Sequence, residues 1–240
     1  IDKAINFLKK SNLSVANVGG SIDTKSISNK IVSKIISYAL SSPFGVGNSI
    51  FRTKKLTVET EVDTVPFGCF KKQALIDIGL YNENESRGED LDVNTRLIRK
   101  GYKVILLPEL RSIYYSRDTY ILFLRQAFMN GHTVFREMRG NNAYHKIRHY
   151  IPCTFVIFLI ILLLSLLLIP NSLLTKLLIL VLIIYVLLSF IFSIRIIKSK
   201  NSFFSFALAP LIFISLHTFY GLGSLIAIIK LITKFNKVKK

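Results

Sequence analysis

Three carboxylates crowd into four consecutive positions in Gly88-Glu89-Asp90-Leu91-Asp92. A helical pattern follows at once, Val93 to Lys100, and Gly101 stops it. Acidic side chains suit a helix N-terminus, where unpaired N–H groups and the macrodipole favour negative charge. Glu89 and Asp90 are therefore expected at the mouth of a short helix, ionised and facing outward. Such a carboxylate can take the proton of a hydroxyl as that hydroxyl attacks. The plainer role of the same acids is a cap or a first-turn salt bridge. Asp92 lies four residues before Arg96 and is predicted to pair with it.

Elements of both kinds must position these acids. Val15 to Val18 reads as a short strand that turns at Gly19-Gly20. Ser26 to Leu40 has helical spacing through Ile27, Ile31 and Ile35, with Ser26 as its cap. Ser41 to Asn48 reads as a loop marked by Pro43, Gly45 and Gly47, and Glu59 to Phe70 as an alternating strand. Gln73 to Ile78 is a brief helix ended by Gly79. Tyr102 to Leu107 is an apolar strand ended by Pro108. Thr119 to Asn130 is an amphipathic helix closed by Gly131. Alternating strands and helices place this part in the α/β class, with about four strands. Gly45-Val46-Gly47 lacks the third glycine of a dinucleotide fingerprint.

The rest of the chain is apolar. Ile151 to Ile169, Leu177 to Ile194 and Ser202 to Ile229 carry no lysine, arginine or acid. Roughly 20 apolar residues cross a bilayer as a helix, so three such runs predict a membrane region. The chain is strongly basic, with 32 Lys and Arg against 14 Asp and Glu. Arg136, Arg139, Lys146 and Arg148 precede the first run, and Arg195, Lys198 and Lys200 follow the second. That pattern matches positive-inside flanking, a cytoplasmic soluble part and contact with anionic lipid headgroups. It argues against nucleic acid, for which no zinc or RNA-binding signature is present. A third full crossing places Lys230, Lys234, Lys237, Lys239 and Lys240 on the opposite side from those clusters, against the charge rule. Pro210, Gly221 and Gly223 interrupt this run, which leaves three readings open: a third crossing, a re-entrant segment or a tight hairpin. Cys69 and Cys153 are the only cysteines, and no disulfide is expected. His217 is expected as a buried, hydrogen-bonded histidine. His132, His145 and His149 lack the acid partner of a zinc pair.

The ordered set Val18-Gly19-Gly20, Gly45-Val46-Gly47-Asn48 with Phe51-Arg52, Asp63 to Cys69, Gly88 to Asp92 with Arg96-Leu97, and Tyr115-Ser116-Arg117 with Leu124-Arg125-Gln126 resembles the C-terminal half of a membrane-anchored family 2 glycosyltransferase. The likeness is to enzymes of the succinoglycan and exopolysaccharide type. It implies that residues 1–149 are the acceptor-side half of a GT-A domain and that 150–240 form a membrane domain. It implies transfer, with inversion, from a nucleotide sugar to a lipid-linked or growing polysaccharide acceptor, in capsule or cell-surface glycan synthesis at the plasma membrane and within a polysaccharide-synthesis complex. Asp90 then occupies the catalytic base position, with Glu89 beside it. Phe67, Gly68 and Cys69, with Asp92, fall on the acceptor side. Arg117, Arg125 and Gln126 fall where relatives such as cellulose synthase hold the donor diphosphate with a Gln-rich Arg-Trp motif, although this chain has no Trp.

The family's divalent cation, Mg2+ or Mn2+, sits on an Asp-X-Asp motif earlier than anything here. Asp90-Leu91-Asp92 spells that pattern inside the acceptor motif and is not assigned as a metal site. The donor-binding half is expected to be missing, because the chain starts at Ile1 within what reads as a helix end, Ile5 to Lys10. A chain lacking that half is expected to be inactive by itself. The alternative is a non-catalytic fragment that only packs against a partner.

Overall fold

The computed structural model describes residues 1–54, 56–83, 87–136, 146–198 and 203–238. Arg139, His145, Lys200, Ser202, Lys239 and Lys240, named above, lie outside the described residues. The chain forms two compact units. The first comprises Ile1–Thr24 and Asn48–Tyr114, and the second contains Lys25–Gly47, Tyr115–Arg136 and the apolar C-terminal helices.

The first unit is a small α/β layer structure. Helix α1 (Asp2–Lys10) leads into strand β1 (Val15–Lys25), whose last residue already belongs to the second unit. Further along come the short helix α4 (Ile50–Thr53), strands β2 (Thr60–Glu61) and β3 (Cys69–Phe70), helices α5 (Lys72–Asp77) and α6 (Glu89–Arg99), and strand β4 (Lys103–Tyr115). The sheet order is β2-β4-β1-β3. Antiparallel pairs join Asn17 to Phe70 and Val18 to Cys69 in one case, and Thr60 to Leu106 and Glu61 to Ile105 in the other. The N–H of Lys103 donates to Ser14 O at 2.7 Å, and Gly20 abuts Leu110 further on. Positions rise together along both strands, so β1 and β4 run parallel.

Val15, Ala16, Asn17 and Val18 are all buried, as a central strand covered on both faces requires. Val15, Val18 and Leu107 pack with Ala4 and Leu8 of α1, and Ala16 packs with Ala74 of α5 and Val93 and Leu97 of α6. A third cluster joins Val62, Val65, Val104 and Leu106.

Three expectations for this unit are corrected. Gly19-Gly20 is no turn but lies inside β1, because a Cβ on Gly20 would sit 2.2 Å from Leu110 O. Gly20 is there for close strand approach, and Gly19 makes room for the Val65 side chain, 2.6 Å from where its Cβ would sit. Pro108 does not end β4, since β2 stops at Thr60, opposite Leu106; the proline falls where no partner needs its missing N–H. Residues 59–70 are not one strand but two short pieces flanking a bent segment.

The second unit is helical. It contains α2 (Ile31–Ala39), α3 (Pro43–Val46), α7 (Tyr120–Arg136), α8 (Ile147–Leu168), α9 (Leu173–Lys198) and α10 (Phe203–Val238). Helix α10 is the hub, touching α2, α3, α7, α8 and α9. Helix α2 starts at Ile31 rather than Ser26, because β1 runs on to Lys25 and the next residues are tied elsewhere. Ser28 hydrogen-bonds Asp118, and Lys30 Nζ lies 2.8 Å from Asp118 Oδ2. The loop expected at 41–48 contains α3, capped by the Ser42 hydroxyl, which accepts from the N–H of Phe44 at 3.3 Å.

Spans of 22, 24 and 31 residues, Ile147–Leu168, Leu173–Ile196 and Phe203–Thr233, are long and apolar enough to cross a membrane. Pro210, Gly221 and Gly223 do not break the last of these, and α10 is one continuous helix. The glycines serve packing. A Cβ on Gly223 would lie 2.0 Å from Phe128 O, and one on Gly131 of α7 would lie 1.9 Å from Tyr220 O. Two backbones thus meet glycine to backbone in both directions, the close approach that small residues permit between apolar helices. That is also why Gly131 lies inside α7 rather than ending it. His217 is buried as expected, with Nε2 donating to Phe44 O at 3.0 Å and Nδ1 accepting from the Tyr185 hydroxyl at 2.8 Å. The carbonyl acceptor sets the tautomer.

Gly131→Ala is expected to destabilise the second unit by about 1–3 kcal/mol, the usual cost of overpacking. Thermal unfolding in detergent measures it, and an unchanged midpoint contradicts the contact.

Candidate functional site

The acidic cluster is built by the first unit. Gly88 caps α6 in the left-handed conformation, with φ 85°, which a side chain adopts only with strain. The N–H of Asp92 closes on Gly88 O at 3.0 Å, so Glu89, Asp90 and Asp92 fill the first turn as anticipated. Their fates differ. Asp92 Oδ2 accepts from Arg96 Nη2 at 2.6 Å and Nε at 3.0 Å, and Arg96 Nη1 reaches on to Ile78 O at 2.6 Å. That pair holds α6 against the end of α5. Glu89 is exposed.

Asp90 is half-buried. Burial pushes its carboxyl pKa up, the charge of Glu89 adds to the rise, and a hydrogen bond from the Phe67 backbone N–H opposes both. The net direction is upward, which favours proton uptake. Phe67 itself has a positive φ of 51° and a ring left 69% exposed. A non-glycine residue in that region costs about 1–2 kcal/mol. The bend turns its N–H toward Asp90.

Beneath this turn lies a buried amide pair. Asn17 Nδ2 donates to Asn94 Oδ1 at 2.6 Å, and Asn94 Nδ2 donates to Thr64 Oγ1 at 3.0 Å and Val65 O at 3.5 Å. Both asparagines are 0% exposed. A Cβ on Gly68 would lie 2.3 Å from Asn17 Oδ1, so only glycine lets the backbone cross the amide. Cys69 follows in β3 as a free, half-buried thiol paired with Val18.

The structure therefore brings together Glu89, Asp90, Asp92, Phe67, Gly68 and Cys69. Arg117, Arg125 and Gln126 belong to the other unit. Arg117 is exposed on the segment before α7, Arg125 is exposed on α7, and Gln126 beside it is half-buried.

Three residues at the acidic cluster escaped the sequence reading. Asn17 and Asn94 are two; the available signal was a polar residue within the buried run Val15 to Val18, which must find a partner. Tyr81 is the third. Its hydroxyl pKa is raised by burial and then by the charges of Asp90 and Glu89, and its ring meets Phe70 edge-on at 6.2 Å. It follows two left-handed residues, Gly79 and Leu80, which swing the chain from α5 toward the acids.

The chain's fit to a divalent cation is poor in the described residues. No group of three His, Cys, Asp or Glu side chains converges there, and Asp92 is taken up by Arg96. No step below passes through a metal.

The raised pKa has a consequence for stability. A carboxyl whose folded pKa is raised contributes stability below its unfolded value, about 3.9, and loses it as pH rises through the folded value. Near neutral pH, Asp90→Asn is therefore expected to unfold at a higher temperature than wild type. The gap should close below the ordinary aspartate range. Thermal unfolding at the two pH values measures this, and a less stable variant at neutral pH contradicts it.

Residues 42–227 match the family described as glycosyl transferase family group 2. A stretch of 157 residues is 25% identical to a Methanococcus voltae protein named dolichyl N-acetyl-alpha-D-glucosaminyl phosphate 3-beta-D-2,3-diacetamido-2,3-dideoxy-beta-D-glucuronosyltransferase. The aligned stretch covers 65% of this chain and 47% of that protein, so the chain spans about half the length of the relative it matches. The family match takes in the acidic cluster, the Phe67 turn, α7 and most of the apolar helices, and the chain belongs to glycosyl transferase family group 2.

Proposed function

We propose that this chain supplies the acceptor side of an inverting sugar transfer at a membrane, with Asp90 as the base. The carrying observation is the Asp90 carboxylate itself: half-buried, raised in pKa, and held by the Phe67 N–H at a helix mouth. The acceptor hydroxyl attacks the anomeric carbon of a nucleotide sugar while the bond to the diphosphate breaks. Asp90 takes the hydroxyl proton as the new C–O bond forms, and a single displacement inverts the centre. Phe67 and Tyr81, both with exposed ring surface, flank the carboxylate and suit the apolar face of a sugar. Gly68 and Cys69 keep the acceptor side narrow, and Glu89 and Asp92 support the base, Asp92 through Arg96.

Arg117 and Arg125, with Gln126, are assigned to the leaving diphosphate, for which a guanidinium is the fitting partner. The acceptor is a lipid-linked or growing glycan, a reading supported by the three apolar spans and by the dolichyl phosphate in the relative's name. Synthesis of exopolysaccharide, capsule or another cell-surface glycan follows from that choice. The basic residues flanking the spans support a cytoplasmic placement of the first unit.

In membranes from cells expressing the gene, Asp90→Asn should lower sugar transfer by about 10²–10⁴-fold, the usual contribution of a general base, with the protein still inserted. Wild-type turnover in that variant rules the assignment out. Arg125→Ala should weaken donor binding, read as a raised KM for the nucleotide sugar. An unchanged KM removes Arg125 from the donor side.

A further inference from the structure

Among the described residues, Arg52 has no counterion. It lies on α4, partly buried, with its guanidinium carbon 5.4 Å from the centre of the Phe51 ring and 5.0 Å from that of Tyr114. Its single hydrogen bond among the described residues runs from Nη1 to Thr24 Oγ1 at 3.5 Å. Ion pairs among the described residues join Lys30 to Asp118, Arg96 to Asp92 and Lys103 to Glu61, and none reaches Arg52. A guanidinium presents five N–H donors in a rigid fork, so most of this fork lacks a protein acceptor. Burial lowers the pKa of Arg52, with Tyr114 opposing, yet an arginine stays protonated in water. The charge is therefore held in place at a cost that no carboxylate repays.

Its position gives that cost a use. Thr24 and Tyr114 lie at the C-terminal ends of β1 and β4, neighbours in the sheet that run parallel. In open α/β sheets, ligands bind outside the carboxyl ends of the strands. The two rings fix the guanidinium plane, and a fork held in one plane donates to two oxygens of a tetrahedral oxyanion side by side.

We propose that Arg52, oriented by Phe51 and Tyr114 and steadied by Thr24, is an anion-binding site for a phosphate group of a substrate. The choice of phosphate over carboxylate rests on the sugar-transfer reading above. The group belongs either to a nucleoside diphosphate or to a lipid-linked phosphate.

Thermal unfolding of the detergent-solubilised protein tests this with three probes at matched ionic strength: inorganic diphosphate, uridine diphosphate and farnesyl phosphate. Wild type should show a saturable rise in midpoint with inorganic diphosphate and with at least one of the other two. Arg52→Gln should bind at least about tenfold more weakly, the loss expected when charged hydrogen bonds to a ligand are removed. Without ligand, it should unfold at or above the wild-type temperature, since a buried unpaired charge is relieved. Arg52→Lys keeps the charge without the fork, and its intermediate affinity carries the test if the glutamine variant does not fold. Beside inorganic diphosphate, a response to uridine diphosphate and not to farnesyl phosphate assigns the nucleotide, and the reverse assigns the lipid. Equal responses in wild type and variants, or none in wild type, overturn the site. Asp90→Asn should keep the wild-type response. If Asp90→Asn still transfers sugar while Arg52→Gln loses binding, the base assignment fails and the anion site stands.

Discussion

The contact on which the first unit turns is the hydrogen bond between the buried amides of Asn17 and Asn94. One lies on the central strand and the other on α6. The Asn94 amide also binds Thr64 and Val65, so three segments converge on a single pair of side chains. Strand β1 sets the depth, α6 sets the angle of its own first turn, and the 64–68 segment is drawn down until Phe67 must bend into the left-handed region. The position of the Asp90 carboxylate follows from all three. Unmade hydrogen bonds in such a place cost about 1–3 kcal/mol each, enough to lock the geometry and more than enough to cover the strain at Phe67. Among the described residues, Asn17 Oδ1 itself finds no hydrogen-bond partner; it faces Gly68, where the chain passes too close for any side chain.

Much of this was legible in the residues. The acidic turn, its glycine stop and the Asp92–Arg96 pair are local features, set by spacing along one helix, and they stand where spacing put them. The apolar spans are legible for the same reason, since twenty uncharged residues in a row have few other readings. The errors share a cause. Gly19-Gly20, Gly131, Gly221 and Gly223 were read as punctuation, because in a sequence a glycine speaks first about its own backbone. In the fold these glycines answer to a neighbour's backbone: Gly20 to Leu110, Gly131 to Tyr220 and Gly223 to Phe128. Pro108 is tolerated because the adjoining strand is too short to need its N–H. The start of α2 is displaced by Asp118, about ninety residues away in the chain. None of these causes is visible in a window of local sequence.

The grouping of segments was equally hidden. Helices α2 and α7 have the polar content of soluble amphipathic helices, yet each packs on α10. Their buried faces, including Ile35 and Ile36 of α2 and Phe123, Ala127 and Phe135 of α7, look alike whether the partner is a sheet or an apolar helix. Periodicity reveals that a face is buried and is silent about what covers it. Arg52 is a different case: its residue type stands among the family-like segments, but only the fold shows two rings around it and no ion pair to it among the described residues.

The glycine contact between α7 and α10 also sets a schedule. Gly131 and Gly223 are separated by 92 positions, and at about 5–20 residues per second a ribosome needs on the order of ten seconds to travel from one to the other. During that interval Phe123, Ala127 and Phe135 have been made and their cover has not. The helix that shelters α7 leaves the ribosome after α8 and α9, so the second unit closes only once α10 is made. Until then the aromatic face of α7 waits while the first two apolar helices are made. Biogenesis, more than equilibrium stability, is where the length of that wait is felt.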